Sequence, residues 1–248
     1  MCIPILGCVG YEMIEVRGVA KYFGRFSALR DLHLTIRKGE FVAVFGRNGA
    51  GKTTLLRILA GLSRPSSGTV TIQGQSSQSP QNARGMMGYL SHNTALYGDL
   101  TALENLRFFT RLFGLPADDA ALVKRIRQVG LMGREREAVR NYSRGMQQRL
   151  AIARAFLHDP AILLLDEPFT GLDQIGTEFL KLYLLDAHAR GNTCIMAIHD
   201  VPLGYELADR LVVIDKGIVA VDVTRAAVSL DEFQRRYRAL AEEQADAG

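Results

Sequence analysis

Phe41-Val42-Ala43-Val44-Phe45-Gly46-Arg47-Asn48-Gly49-Ala50-Gly51-Lys52-Thr53-Thr54 is the stretch that decides the fold. Five apolar residues in a row predict a strand buried on both faces, as parallel strands are. The nine residues that follow satisfy G-x-x-x-x-G-K-[ST], and the apolar run 55–59 predicts a helix behind them. Strand, glycine loop and helix thus stand in the order a phosphate cradle requires. Glycines let backbone N–H groups turn inward around a phosphate, Lys52 reaches its outer oxygens, and the Thr53 hydroxyl can ligate Mg²⁺. The helix N-terminus adds a positive partial charge. Gly46, Asn48, Gly49, Ala50, Gly51, Lys52, Thr53 and Thr54 are therefore the expected nucleotide-binding set.

More than a hundred residues later, Ile162-Leu163-Leu164-Leu165 runs into Asp166-Glu167-Pro168, a buried strand ending in two carboxylates. Taken alone, such an Asp-Glu pair is a helix N-cap. Beside Lys52 and Thr53 it acquires chemistry: Asp166 is expected to hold Mg²⁺ and Glu167 to polarise an attacking water. Runs 194–198 and 211–214 predict further buried strands, and helical stretches between them give the alternation of an α/β sheet with crossover helices.

Segments 11–40 and 68–90 alternate apolar and polar residues, as in Thr69-Val70-Thr71-Ile72, and predict antiparallel strands. From 101 to about 140 the pattern is helical and opens on a capping box, Thr101-Ala102-Leu103-Glu104. Residues 230–245 predict a fraying surface helix. The expected fold class is α/β: a phosphate-loop ATPase core of mostly parallel sheet, an N-terminal antiparallel β subdomain and an inserted helical subdomain. The single domain 1–248 divides into sheet core with β subdomain (11–90 and 156–220), helical subdomain (91–155), and C-terminal helix and tail (221–248).

Composition agrees with one compact unit: 248 residues, 48% apolar and 23% charged, with no repeat or low-complexity tract. Three cysteines, Cys2, Cys8 and Cys194, have no metal-ligand spacing and suit a reducing compartment. The apolar stretch 1–10 is too short and lacks the basic flank of a signal peptide, and no window approaches the roughly 18 apolar residues of a membrane span. Net charge is +4, but residues 105–154 hold eleven Lys or Arg against four Asp or Glu. Such a surface is either a set of solvated helix faces or a face toward anionic lipid.

Tyr142-Ser143-Arg144-Gly145-Met146-Gln147-Gln148-Arg149-Leu150-Ala151-Ile152-Ala153-Arg154-Ala155, followed by the Asp-Glu strand, resembles the signature motif and helix of ABC transporter ATPases. The resemblance covers 13–217. It implies that Ser143 and Gly145 bind the γ-phosphate held by the opposite subunit's phosphate loop, so that two chains pair head to tail around two ATP molecules with Mg²⁺. It implies that Asp173, in Thr170-Gly171-Leu172-Asp173, crosses that interface, and that His199 is the switch histidine at the γ-phosphate. It also implies adenine stacking on Phe23, for which Tyr22 and plain core packing are the alternatives. Partners implied are a second ATPase subunit and an integral membrane permease, at the cytoplasmic face of the inner membrane.

Departures from the family pattern carry information. The usual Leu-Ser-Gly-Gly-Gln has become Tyr142-Ser143-Arg144-Gly145-Met146, and His92 stands where a Gln normally meets Mg²⁺ and the attacking water. His92 either takes over that contact or fills the hinge. Together with Ala155-Phe156-Leu157-His158-Asp159-Pro160, these oddities look most like the haem-exporter ATPase of cytochrome c maturation, the CcmA type. The rivals are a motor for another exporter, of drugs, polysaccharide or lipid, and a soluble ABC ATPase acting on nucleic acid or ribosomes. The latter generally carries two ATPase halves or a long coiled coil, so no direct nucleic-acid partner is expected. No Asn-Lys-x-Asp segment suggests guanine specificity.

Overall fold

A computed structural model describes residues 12–77, 84–91 and 93–242. Two sheets form the frame. Strands β1 (Glu12–Phe23) and β2 (Phe26–Arg37) make a long antiparallel hairpin, and with β3 (Phe41–Phe45) set aside for the second sheet, the first is completed by β4 (Ser67–Ile72) and β5 (Gln75–Ser76) in the order β2-β1-β4-β5. The second sheet adds β6 (Met87–Leu90), β7 (Ile162–Asp166), β8 (Thr193–Ala197), β9 (Arg210–Asp215) and β10 (Ile218–Thr224), in the order β10-β9-β3-β8-β7-β6. All its pairings are parallel except β10 with β9.

Continuous apolar runs mark the strands that are covered on both sides: every residue of β3, β7 and β8 is buried. Period-two alternation sends Val42 and Val44 into a core shared with the antiparallel sheet, and Phe41, Ala43 and Phe45 into a second core on the opposite face. The segment 68–90 needs correction. β6 is not antiparallel but runs parallel to β7 at the sheet's edge, Tyr89 opposite Leu164. Four residues are too few for a period to distinguish the two settings.

Helix α1 (Lys52–Leu59) starts at Lys52, three residues before the apolar run. The insert holds α2 (Ala102–Leu112), α3 (Asp119–Gln128) and α4 (Arg144–Ala155), packed around a third core that includes Leu106, Ile126 and Leu150. Thr101 and Glu104 do form the expected capping box, each accepting the other's backbone N–H. The stretch 129–140 is mostly turns rather than helix. Five arginines of the basic insert meet carboxylates, in the pairs Arg107–Asp119, Arg125–Asp159, Arg127–Glu135, Arg134–Glu137 and Arg140–Asp99.

Helices α5 (Gln174–Ala189) and α6 (Val201–Leu207) cover the second core, and α7 (Leu230–Glu242) joins them. The last helix is not a loose surface element: Phe233 is fully buried with its ring 5.2 Å from Phe45. Burying one such side chain contributes about 1.5–3 kcal/mol, and Leu230, Tyr237 and Leu240 of the same 13-residue helix pack on the same core. Among the described residues no helix is long and apolar enough to cross a membrane.

Candidate functional site

The sheet order brings the carboxyl ends of β3, β8 and β7 side by side, which is where open α/β sheets present their ligand sites. The loop after β3 tolerates only glycine at two points. At Gly46 (φ +149°) an added Cβ would lie 2.3 Å from the Ile214 carbonyl oxygen, and at Gly51 (φ +112°) it would lie 2.5 Å from that of Ala28. The loop is thus pressed against β9 and β2, and the Gly217 N–H donates to the Ala50 carbonyl at 3.1 Å to fasten it there. Asn48 and Gly49 stand exposed on its crest, while Thr54 is half-buried in α1. Helices α2 to α6 each have a side chain capping their first turn; α1, behind Gly51, has none. Its N–H groups are left to meet an anion, the fit expected for a phosphate.

Lys52 is buried, 5% exposed, with its ammonium donating to the carbonyls of Gly46 (2.6 Å) and Arg47 (3.2 Å). Burial pulls its pKa below the ordinary lysine value, and the charges of Glu167 and Asp166 draw it partly back. Thr53 Oγ1 donates to Asp166 Oδ1 at 2.9 Å, and Asp166 is itself buried at the end of β7. Two hard oxygens side by side suit Mg²⁺, which takes few protein ligands and completes its shell from phosphate and water. Among the described residues no group of three or more His, Cys, Asp or Glu side chains could hold a metal without such help.

Asp166 and Glu167 are not helix caps. The next helix, α5, begins seven residues later and is capped by Asp173. Glu167 sits in the left-handed region (φ +52°), fixed by its N–H to the Ala197 carbonyl (3.0 Å) and by its own carbonyl to the Thr170 N–H (3.1 Å). That conformation costs a non-glycine residue about 1–2 kcal/mol and aims the side chain off the strand. Its Oε1 lies 2.6 Å from Nε2 of His199, which follows β8. Lys52, Thr53, Asp166, Glu167 and His199 therefore form one constellation on three adjacent strand ends.

Ser143, Gly145 and Asp173 belong to a different place. Ser143 is exposed and caps α4, accepting the Met146 N–H at 3.3 Å; Asp173 is exposed and accepts that of Gly176 at 2.8 Å. Gly145 faces the Gly171 carbonyl, 3.5 Å from where its Cβ would be. The far end of α4 reaches the phosphate side: Arg154 and Ala155 line a cavity of about 610 Å³ together with Thr53 and Asp166. Twelve residues of helix then put Ser143 about 18 Å away along the axis. Tyr142, the departure from Leu, is a buried plug whose hydroxyl donates to the Arg134 carbonyl at 2.6 Å, and burial raises its pKa to about 12.

Phe23 does not pack in the core. It is 54% exposed at the tip of the β1–β2 hairpin, beside Tyr22 at 53% and with the Lys21 ammonium 5.1 Å above its ring. Phe26, its cross-strand partner, adds a third exposed aromatic that sequence reading passed over. The signal was its closeness to Phe23. His92 lies outside the described residues; Ser91 and Asn93 on either side line the same cavity as Thr53. Sequence reading also passed over the residues behind the loop, Gly217 and Tyr237. Tyr237 is hydrogen-bonded to the Gly46 backbone, and its place four residues after Phe233 on one helix face was the available clue.

A family model described as "ABC transporter" matches residues 29–170. The chain is 38% identical over 213 residues to the sulfate/thiosulfate import ATP-binding protein CysA 2 of Rhizobium meliloti, covering 83% of this chain and 58% of that relative's length. It is 39% identical over 207 residues to the Nod factor export ATP-binding protein I of Burkholderia lata, covering 82% of this chain and 68% of the other. Among solved structures, the dimeric ATP-binding cassette MJ0796 in a post-hydrolysis state with ADP and Pi superposes with a TM-score of 0.79 at 26% identity, over 86% of this chain and 99% of that one.

Proposed function

The chain belongs to the ABC transporter family, and from that premise we propose that it is the ATP-hydrolysing subunit of an exporter, working as a head-to-tail pair of copies beneath a membrane permease. The observation that carries this reading is the constellation on β3, β7 and β8, with Glu167 and His199 2.6 Å apart beside the buried Lys52. In the proposed reaction Lys52 and the N–H groups of the loop bind the β- and γ-phosphates, and Thr53 and Asp166 hold Mg²⁺. When bound there, Mg²⁺ would supply neutralisation of the phosphate charge. Glu167 accepts a proton from the attacking water as its oxygen bonds to the γ-phosphorus and the bond to the β,γ-bridging oxygen breaks. His199 orients the Glu167 carboxylate and meets the γ-phosphate. Phe23 stacks on adenine, with Asn48, Gly49 and Thr54 framing the phosphates.

Ser143, Gly145 and Asp173 serve the opposite copy. Their distance from the chain's own Lys52 along α4 supports this, as does the dimeric state of the MJ0796 cassette. The pairing of five insert arginines with carboxylates favours a protein-facing or solvated insert over a nucleic-acid surface. Segment 93–99, which leads from His92 past the cavity, is the surface we assign to the permease. Haem is the cargo that Met146, His92 and the run 155–160 favour, and another cargo is the second reading, favoured by the Nod factor exporter among the relatives. Neighbouring cytochrome c maturation genes would support haem, and a different permease would overturn it.

Glu167→Gln tests the chemistry. It is expected to keep ATP binding, to lower hydrolysis by about 10²-fold or more, and to trap a dimer on size-exclusion chromatography. Hydrolysis at the parental rate would remove Glu167 from its role.

A further inference from the structure

Helix α7 takes no part in the phosphate chemistry above, yet it stands directly behind the phosphate loop. Phe45, the last residue of β3, is enclosed: Gly204 of α6 lies so close that an added Cβ would be 2.6 Å from the Phe45 ring, and Phe233 covers the ring from α7 at 5.2 Å. Tyr237, one turn further along α7, sets its own ring 6.2 Å from the same Phe45. Its hydroxyl then continues past Phe45 to a hydrogen bond with the backbone of Gly46, the first residue of the loop, within reach of the Arg47 charge. Burial raises the phenol's pKa, so the group remains a neutral hydroxyl through the physiological range. On its other side Gly46 meets the Ile214 carbonyl, with no room for a Cβ. The hinge of the loop is thereby held between the end of β9 and the face of α7. Tyr205 of α6 secures the approach to α7 through a 2.8 Å hydrogen bond to the Val228 carbonyl.

We infer that Tyr237 is a positioning residue for nucleotide binding, and that seating of α7 and occupancy of the phosphate loop by nucleotide are linked. Helix α7 lies past residue 170, beyond the family-matched segment, whereas the loop lies within it. The inference rests on the ATPase reading. Because coupling of two equilibria is reciprocal, a docked α7 strengthens nucleotide binding and bound nucleotide tightens α7. A segment or partner that lifted α7 would therefore release nucleotide without touching the site.

The test uses the full chain with ATP and Mg²⁺. Tyr237→Phe keeps the ring against Phe45 and removes only the hydroxyl. It should weaken nucleotide affinity and raise KM by about threefold to tenfold, the span of one net hydrogen bond, with kcat changed by less than about twofold. Leu240→Ala, on the same helix and packed on the same core, is the control: it should lower the melting temperature while leaving affinity in place. In hydrogen exchange, nucleotide should slow the α7 amides of the parental chain and not those of Tyr237→Phe. Unchanged affinity in Tyr237→Phe, or an equal loss in Leu240→Ala that tracks stability, would overturn the inference alone. A parental chain that binds no nucleotide would overturn the ATPase reading and this inference with it.

Discussion

The strand-end constellation and the turn at the start of α4 are built on opposite plans. At the strand ends, charged side chains are buried, backbone is strained at Glu167, and residues from three loops touch one another across more than a hundred positions of sequence. At the α4 turn, Ser143 is exposed and its hydroxyl closes a local cap three residues away. The first region holds its geometry through long-range contacts before any ligand arrives. The second is rigid but faces outward. In the function proposed above, a site divided in this way between a preorganised half and a presented half works only when two copies meet.

The strongest way to break this contrast is to damage each half in a different chain. Lys52→Ala and Ser143→Ala should each lose about 10²-fold or more in hydrolysis alone. Mixed, they should regain activity, because half of a mixed dimer joins an intact phosphate loop to an intact α4 turn. ATPase assays over a titration of one variant into the other give the answer; no recovery would mean that each chain completes its own site. A smaller effect separates the presented half's two duties. Ser143→Ala removes a cap worth about 1 kcal/mol and should lower the midpoint of thermal unfolding, yet leave ATP affinity of the isolated chain untouched. Ser143→Gly should restore most of the stability and none of the hydrolysis. The smallest effect is in pH. In the proposed reaction phosphate binding needs the Lys52 ammonium, whose pKa is lowered by burial, so affinity should fall as pH rises, beginning below the ordinary lysine value of 10.5. Fluorescence titration of a nucleotide analogue between pH 7 and 10 measures the loss. A profile flat to the ordinary lysine range would show Lys52 to be less desolvated than its burial implies.

The two regions were also unequally legible. Lys52, Thr53 and Asp166 could be read because their chemistry fixes residue type and spacing, and because strands buried on both faces spell continuous apolar runs. Ser143 and Gly145 could be read only through family resemblance, since a Ser three residues from a backbone N–H is equally an ordinary cap. The 2.6 Å approach of His199 to Glu167 was out of reach, because it depends on β7 and β8 being neighbours in a sheet whose order is not the order of the chain. β6 was misread as antiparallel because four residues are too few for a period to tell the two settings apart. Helix α7 was read as fraying although Phe233, Tyr237 and Leu240 recur at helical spacing; what sequence lacked was the surface they meet, Phe45 and the loop behind it.

Glu167 bears on how such a chain changes over generations. Its left-handed backbone would be relieved by glycine, so under the proposed role of Glu167 selection for a more stable fold and selection for hydrolysis point in opposite directions at this position. A copy released from the second demand, as after gene duplication, would have a downhill route to a folded, nucleotide-binding chain that no longer turns over. The backbone at one residue thus makes loss of the motor easier than loss of the fold.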